Sequence, residues 1–222
     1  MALVSFGFHG TSVRLQWHSY SPKNGLSAAN CVGDPANYEV ATATDDGKYL
    51  KIGRRIPVTK LFVHPAHSEE TAKNDIAVLE LGTELPPPFA TISAQRSADP
   101  KAGTLALVGT IDFRSKLGNL VQSSIAIFDD ATCAAKSAPE GTICAGFEHG
   151  GAGACGGTGS AGGPLVVFNG AGQKYQIGIV SVADCSVPTR AFGVYTRISS
   201  FADWIKQAVP DVLSEPMAEV KR

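Results

Sequence analysis

Residues 159–166 read GSAGGPLV, a glycine-rich turn followed at once by a short apolar run that predicts a strand over 164–168. The same arrangement, a short apolar or alternating run bounded by Gly, Pro, Asp or Asn, recurs along the 222-residue chain. It predicts further strands at 2–6, 37–43, 57–63, 76–81, 104–109, 120–127, 175–182 and 192–197. Many short strands at this spacing are typical of a β-sandwich or a β-barrel.

The clearest helical pattern lies near the end of the chain. Ser199 or Ser200 can cap the helix, and Pro210 ends it. The side chains of Phe201, Trp204 and Ile205 fall on one helical face, which we interpret as packing against the barrel. The turn-rich segment 86–103 lies between two strand-dense halves and predicts a linker, and residues 210–222 predict a loosely held tail.

The composition favours a buried globular core and excludes two classes of partner. Hydrophobic residues make up 44% of the chain and charged residues 18%, with a formal net charge of −1. This balance gives no electrostatic footprint for nucleic acid or an anionic membrane. No apolar stretch approaches the roughly 20 residues that a membrane span needs. The first residues, MALVSFGFHGTSVR, do not have the pattern of a signal peptide.

The histidines do not predict a metal site, and we expect neither a metal nor another cofactor. His64 and His67 have a spacing that could bind a metal, but we interpret their HPAH segment as a surface loop. His9, His18 and His149 are interpreted as surface or turn residues.

The cysteines predict disulfides and an oxidising compartment. None of the five forms a C-x-x-C pair. The four in the second half predict two bridges, Cys133 with Cys144 across a short loop and Cys155 with Cys185 across a longer one. Cys31 is then a free thiol.

Between about residues 4 and 209 the chain resembles the chymotrypsin/trypsin family of serine proteases, because six segments follow one another in the family's order. They are LSAANCV (26–32), VHPAHSEETAKNDIAVLEL (63–81), CAGFEHGGAGAC (144–155), GSAGGPLV (159–166), GIVSVADC (178–185) and FGVYTRISSFADWI (192–205). The resemblance implies an all-β fold of two six-stranded antiparallel β-barrels with a C-terminal helix and a cleft between the barrels. The trypsin-like domain would span 1–209, with a first barrel at about 1–90, a second at about 104–198 and the helix at about 199–209.

The resemblance also assigns the three positions of the family's catalytic triad. Asn30 stands at the histidine position, Asp75 at the aspartate and Ala161 at the serine. An amide cannot accept and return a proton near neutral pH, and alanine has no nucleophile. We therefore expect Asp75 to be a structural remnant, hydrogen-bonded by Asn30 and nearby amides.

Other family positions are changed as well. Ser160 stands where the family has the aspartate that pairs with the activated N-terminal ammonium, and the chain begins too late to include the family's Ile-Val-Gly-Gly start. The segment GGTGSA after Cys155 is two residues longer than usual, which loosens the oxyanion-hole loop.

Leu15, Gln16 and Trp17 replace the family's cysteine and glycine pair, which leaves Cys31 without a partner. Laboratory inactivation alone would not change so many positions.

The resemblance also defines a vestigial specificity pocket. Gly153 stands at its base, and Ser181, Val182, Ala183 and Gly193 form its walls. Without an acid at the base, the pocket has no charge with which to select Lys or Arg.

From these residues we expect a secreted serine protease homologue that is not an enzyme and acts as a binding, cofactor or inhibitor protein. Oomycete glucanase inhibitors, which also resemble trypsins, are an example of the inhibitor role. Its partner would be another protein: an enzyme, a component of a protease cascade or a receptor. We expect contacts through the loops at 44–55 and 111–119, which carry Tyr49, Arg54, Arg55, Phe113 and Arg114. The alternative is a secreted serine-type peptidase or esterase in which Ser160 is an atypical nucleophile.

Overall fold

The computed structural model describes residues 2–7, 14–19, 21–34, 38–45, 50–85, 91–93, 95–96, 99–112, 119–147, 161–183 and 192–210. Within these ranges the fold is all-β, with two sheets and two short α-helices. The prediction of an all-β fold with a C-terminal helix is confirmed.

The first sheet is a closed six-stranded barrel in the order β1-β2-β3-β6-β5-β4. Its strands pair antiparallel throughout. They are β1 (Ala2–Gly7), β2 (Arg14–Ser19), β3 (Asn24–Ser27), β4 (Tyr38–Asp45), β5 (Leu50–Val63) and β6 (Ala77–Leu81).

The second sheet has seven strands in the order β11-β8-β9-β10-β13-β12-β7, and β11 also pairs with β12. Its strands are β7 (Thr91–Ile92), β8 (Leu105–Asp112), β9 (Asn119–Ile127), β10 (Thr142–Gly146), β11 (Pro164–Phe168), β12 (Lys174–Ala183) and β13 (Phe192–Arg197). The strand beyond the predicted six is β7, a two-residue strand that adds to β12 in parallel.

The two α-helices are α1 (Asp130–Ala135) and α2 (Ala202–Ala208), and a 3₁₀ turn at Ile198–Phe201 leads into α2. The Asp129 side chain caps α1 by accepting the backbone N–H of Thr132 at 2.6 Å. In the part of the chain that the structure describes, no helix is long and apolar enough to cross a membrane.

Buried apolar side chains form three clusters, and one of them joins the two halves. One cluster lies within the second sheet and another within the first barrel. The third, which we call the shared core, combines first-barrel residues such as Leu26 and Ile76 with Ile179, Phe201 and Ile205 from the second half. Apolar burial therefore fixes one half of the molecule against the other.

The structure corrects two details of the sequence prediction. The serines proposed as helix caps do not cap α2: Ser199 Oγ donates to Asp99 at 2.9 Å, and Ser200 Oγ accepts from Arg96 at 3.2 Å. The predicted loop 44–55 is mostly strand, because β4 runs to Asp45 and β5 begins at Leu50. Tyr49, Phe113 and Arg114 lie outside the described residues.

Candidate functional site

Asp75 lies where the two sheets meet, and its carboxylate is fully buried. Oδ1 accepts the backbone N–H of Asn30 at 2.8 Å, and Oδ2 accepts the Asn30 side-chain amide at 3.2 Å. Oδ2 also accepts the hydroxyl of Ser181, from β12, at 2.5 Å. A buried carboxylate is costly unless it is hydrogen-bonded, and three donors meet that requirement here.

The loop before β6 fixes the position of Asp75. Asn74 has a φ of 53°, a left-handed conformation that Asn tolerates better than most residues. Its side-chain amide donates to the Ala66 carbonyl at 2.8 Å. On the far side, Thr196 Oγ1 from β13 donates to the Asp75 carbonyl at 2.7 Å. The residue is therefore held by its backbone as well as by its carboxylate.

Asn30 is presented by a 3₁₀ turn, Ala29–Cys31. Ala29 and Cys31, on either side of Asn30, are buried whereas Asn30 is exposed. The burial of these two residues fixes the position of the Asn30 amide. The amide donates to Asp75 but cannot act as a general base.

Ala161 lies in the turn before β11 and packs against the shared core. This turn is fixed on β12, because Gly162 N–H donates to the Val180 carbonyl and Val180 N–H donates to the Gly163 carbonyl, each at 2.8 Å. Gly162 has a φ of 78°, which favours glycine. The methyl group of Ala161 supplies no nucleophile, and Ser160 lies outside the described residues.

Cys31 is a buried free thiol, as the sequence predicted. Burial, with a smaller contribution from the negative charge of Asp75, raises its pKa from 9.0 to about 12. Because the thiolate is the reactive form, the thiol is unreactive at neutral pH.

The predicted pocket walls are placed together on β12 and β13. Ala183 pairs with Gly193, Ser181 is buried and the side chain of Val182 is 42% exposed. A Cβ at Gly193 would lie 2.9 Å from the hydroxyl of Tyr195, so this position requires glycine. The predicted base, Gly153, lies outside the described residues.

The remaining predicted sites are placed as follows. Cys133 is bonded to Cys144, with a Cα–Cα distance of 5.4 Å. Cys155 and Cys185 lie outside the described residues, so their bridge remains a prediction.

The HPAH segment is more than a surface loop. The His64 ring lies 5.3 Å from that of Phe201 and 5.1 Å from that of Trp204, and so packs the segment against α2. Burial, together with the nearby His67, lowers the pKa of His64. Among the described residues, no group of three or more His, Cys, Asp or Glu could hold a metal ion.

The hydroxyls of Ser181 and Thr196 were not predicted to contact Asp75. They lie 106 and 121 residues away in the sequence. The sequence places Ser181 only in a pocket wall, and no local pattern indicates that its hydroxyl turns towards a carboxylate.

Comparisons with known proteins agree with the fold. A sequence profile of the Trypsin family matches residues 14–205. "Trypsin eta" of Drosophila melanogaster is 32% identical over 192 residues, which cover 81% of this chain and 70% of that protein. "Trypsin-like protease" of Streptomyces glaucescens is 29% identical over 191 residues, 82% of this chain and 70% of its own length. "Transmembrane protease serine 9" of Rattus norvegicus is 31% identical over 199 residues, 81% of this chain but 18% of that protein.

These relatives correct one prediction. The chain was expected not to be an enzyme, yet its relatives are named as trypsins and trypsin-like proteases, which points to an enzyme. Since Asn30 and Ala161 supply neither a base nor a nucleophile, hydrolysis would need a reacting group other than these two side chains.

Proposed function

The chain belongs to the trypsin family of serine proteases, and on this premise we propose that it works by binding a protein partner through its β4–β5 hairpin. The observation that carries the proposal is a basic pair, Arg54 and Arg55, exposed on β5 next to the end of the hairpin that extends beyond the barrel.

The pairing of the strands supports an extended hairpin. Residues 58–63 of β5 pair with β6, but residues 50–52 pair with β4. On the other strand, Thr44 and Asp45 lie beyond Ala43, the last residue of β4 that pairs with β1. The end of the hairpin therefore extends past the edge of the barrel, where a partner can reach it.

The two arginines are ordered without being buried. The Arg54 backbone N–H donates to Thr42 Oγ1 at 2.9 Å, and its guanidinium donates to Thr83 Oγ1 at 3.0 Å. The guanidinium of Arg55 lies 3.4 Å from the Glu39 carboxylate while its side chain stays 50% exposed. Arginine is enriched among residues that dominate binding energy, and ordering before binding lowers the entropic cost.

The test introduces a photo-crosslinking residue in three separate variants, at Arg54, at Lys60 or at Val182 in the wall of the predicted pocket. Each variant is incubated with secreted material. We expect a partner to crosslink from position 54, because it lies on the hairpin. Lys60 is the matched control, since it is an exposed cation on the same strand, paired with Glu80 at 3.1 Å.

The captured partner is then purified, and its affinity for the variants is measured. Replacing Arg54 and Arg55 together by Ala should weaken binding about tenfold or more, whereas Lys60→Ala should change it little. Crosslinks obtained only from position 182, with affinity unchanged in the arginine variant, would place binding in the inherited cleft and reject the hairpin.

The names of the relatives favour a second candidate function, hydrolysis of a peptide or ester bond. Because Asn30 and Ala161 carry neither of the needed groups, this candidate assigns the attack to the hydroxyl of Ser160, next to Ala161 in the sequence.

A fluorophosphonate probe separates the two candidates, because it modifies only an activated serine. Labelling and ester hydrolysis that are both lost in Ser160→Ala, but kept in the control Ser200→Ala, support hydrolysis. No labelling and no turnover above background in the wild-type protein exclude a Ser160 centre and leave the binding role unaffected.

We also propose that the protein is secreted. The Cys133–Cys144 disulfide supports this, because such bonds persist in oxidising compartments.

A further inference from the structure

A groove of about 850 Å³ lies on the outer side of the second sheet, away from the Asp75 site and from the hairpin. Its lining includes Leu105 of β8, Ala126 of β9, Phe147 after β10 and Phe192 of β13, with Ala135 and Lys136 at the end of α1. We call it the α1 groove. Its volume is within the range of sites that hold a ligand or a few side chains of a partner.

The floor of the α1 groove is apolar where Leu105 of β8 pairs with Ala126 of β9, and the exposed Ser124 of β9 adds a hydroxyl to the lining. Leu105 pairs with Ala126, and their neighbours Ala106 and Ile127 point into the core. Leu105 is 64% exposed. Leu105 shares the groove lining with Phe147 and Phe192, and an exposed apolar patch rimmed by polar residues marks an interaction site.

Two aromatic rings extend this apolar surface. Phe192 pairs with Gly146. Because Phe147 directly follows Gly146 in the chain, the two phenylalanines lie close together. The side chain of Phe147 is 39% exposed. Aromatic residues are enriched where proteins bind one another.

A cation, Lys136, lies at the rim of the α1 groove. Lys136 Nζ lies 4.5 Å from the centre of the Phe192 ring. Of the carboxylates in the described ranges, none lies within 4.0 Å of this ammonium, whereas Lys23 and Lys60 have Glu84 and Glu80 within that distance. Asp129 also lines the groove, but it lies at the other end of α1, where its carboxylate accepts the Thr132 N–H. The Lys136 ammonium therefore complements a carboxylate supplied from outside.

We propose that the α1 groove docks a polypeptide partner that presents an apolar side chain next to a carboxylate. The apolar side chain covers Leu105 and Phe147, and the carboxylate pairs with Lys136. This surface is separate from the hairpin and from the Ser160 centre, so it stands or falls independently of the proposed function.

The test measures fluorescence anisotropy with two labelled peptides, GSLFEDSG and its neutral counterpart GSLFQNSG. We expect the acidic peptide to bind about fivefold more tightly at low ionic strength, because it supplies the missing carboxylate. Lys136→Met should remove this difference. Leu105→Ser should weaken the binding of both peptides about tenfold, because it removes the apolar floor.

The matched control is Lys174→Met. Lys174 Nζ lies 5.8 Å from the ring of Phe168, a similar cation–aromatic pair whose residues do not line the α1 groove. Equal affinity for the two peptides, or equal effects of Lys136→Met and Lys174→Met, would overturn the proposal. So would sedimentation showing a dimer that Leu105→Ser dissociates, because a second copy of the chain would then occupy the groove.

Discussion

Among single residues, Asp75 connects the two halves of the molecule most directly. Its carboxylate accepts hydrogen bonds from Asn30 in the first barrel and from Ser181 in the second sheet. Its carbonyl accepts a further bond from Thr196. Asp75 therefore has a structural role whichever group performs the chemistry of the site.

Asp75→Ala should lower the free energy of unfolding by about 3 kcal/mol, because it leaves the buried Ser181 hydroxyl and the Asn30 N–H without an acceptor. Chemical denaturation followed by circular dichroism measures this. Asp203→Ala is the control, since Asp203 is an exposed acid in the first turn of α2 and should cost about 0.5 kcal/mol or less. Similar losses in the two variants would contradict the role given to Asp75.

The contacts of Asp75 show which part of a site a sequence can reveal. The bond from Asn30 was predicted, because the resemblance placed both residues at interacting positions of a known constellation. The bond from Ser181 was not, because it joins residues 106 apart and depends on how β12 packs against the loop before β6. The base of the pocket at Gly153 remains a prediction.

Cys31 gives a pH-dependent prediction. Its pKa is about 12 in the folded protein and 9.0 ordinarily, so the folded state holds the proton more tightly. The resulting stabilisation is fully present below pH 9 and is lost as the pH rises towards 12. The stability of the wild-type protein relative to Cys31→Ala should therefore fall by about 2 kcal/mol between pH 8.5 and 10.5. Denaturation at the two pH values measures it, and a constant difference would contradict the raised pKa.

Among the elements, the segment between β7 and β8 is attached to the rest of the second sheet through a buried arginine. Arg197 ends β13 and is 8% exposed. Its guanidinium donates to Asp99 in that segment at 2.8 Å, to Asp130 at the start of α1 at 2.5 Å, and to the Thr142 carbonyl on β10 at 2.9 Å. The Arg197 side chain therefore connects β13 with the segment around Asp99, with α1 and with β10.

Arg197→Leu should lower the free energy of unfolding by about 3–5 kcal/mol, because it leaves the Asp99 carboxylate, whose side chain is only 10% exposed, without its cation. Arg96→Leu is a matched control: Arg96 also contacts Asp130, at 3.5 Å, but its side chain is 62% exposed. Exposed pairs contribute about 0–1 kcal/mol. Thermal and denaturant unfolding compare the two, and equal costs would reject the buried network.

The elements also differ in how well the sequence predicts them. The bounds of β11 and β13 were predicted correctly, because each is an apolar run between clear turn residues. The strand β3, with sequence NGLS, was missed because its residues show no alternation, although all four are buried. The six-residue helix α1 was missed because it is too short for a helical period, and the Cys133–Cys144 disulfide and the Asp129 cap stabilise it.

For the molecule as a whole, the shared core decides whether the two halves behave as one unit. Ile179 and Ile177 both lie on β12 and are at most 1% exposed, but they belong to different clusters. Ile179 packs in the shared core with Leu26 and Ile76 of the first half, whereas Ile177 packs among second-sheet residues. Replacing Ile179 by Ala removes carbon atoms from the shared core, and replacing Ile177 by Ala removes the same number from the second-sheet cluster.

Ile179→Ala should weaken the coupling of the two halves, and Ile177→Ala should not. Each variant loses about 2–5 kcal/mol, since each leaves a cavity in a packed core. Hydrogen exchange in rising denaturant, read by mass spectrometry on peptides from β6 and β10, measures the two halves separately. The β6 and β10 transitions should coincide in the wild-type protein and in Ile177→Ala, because the shared core is intact. They should separate in Ile179→Ala, and coincident transitions there would show that the Asp75 hydrogen bonds suffice to join the two halves.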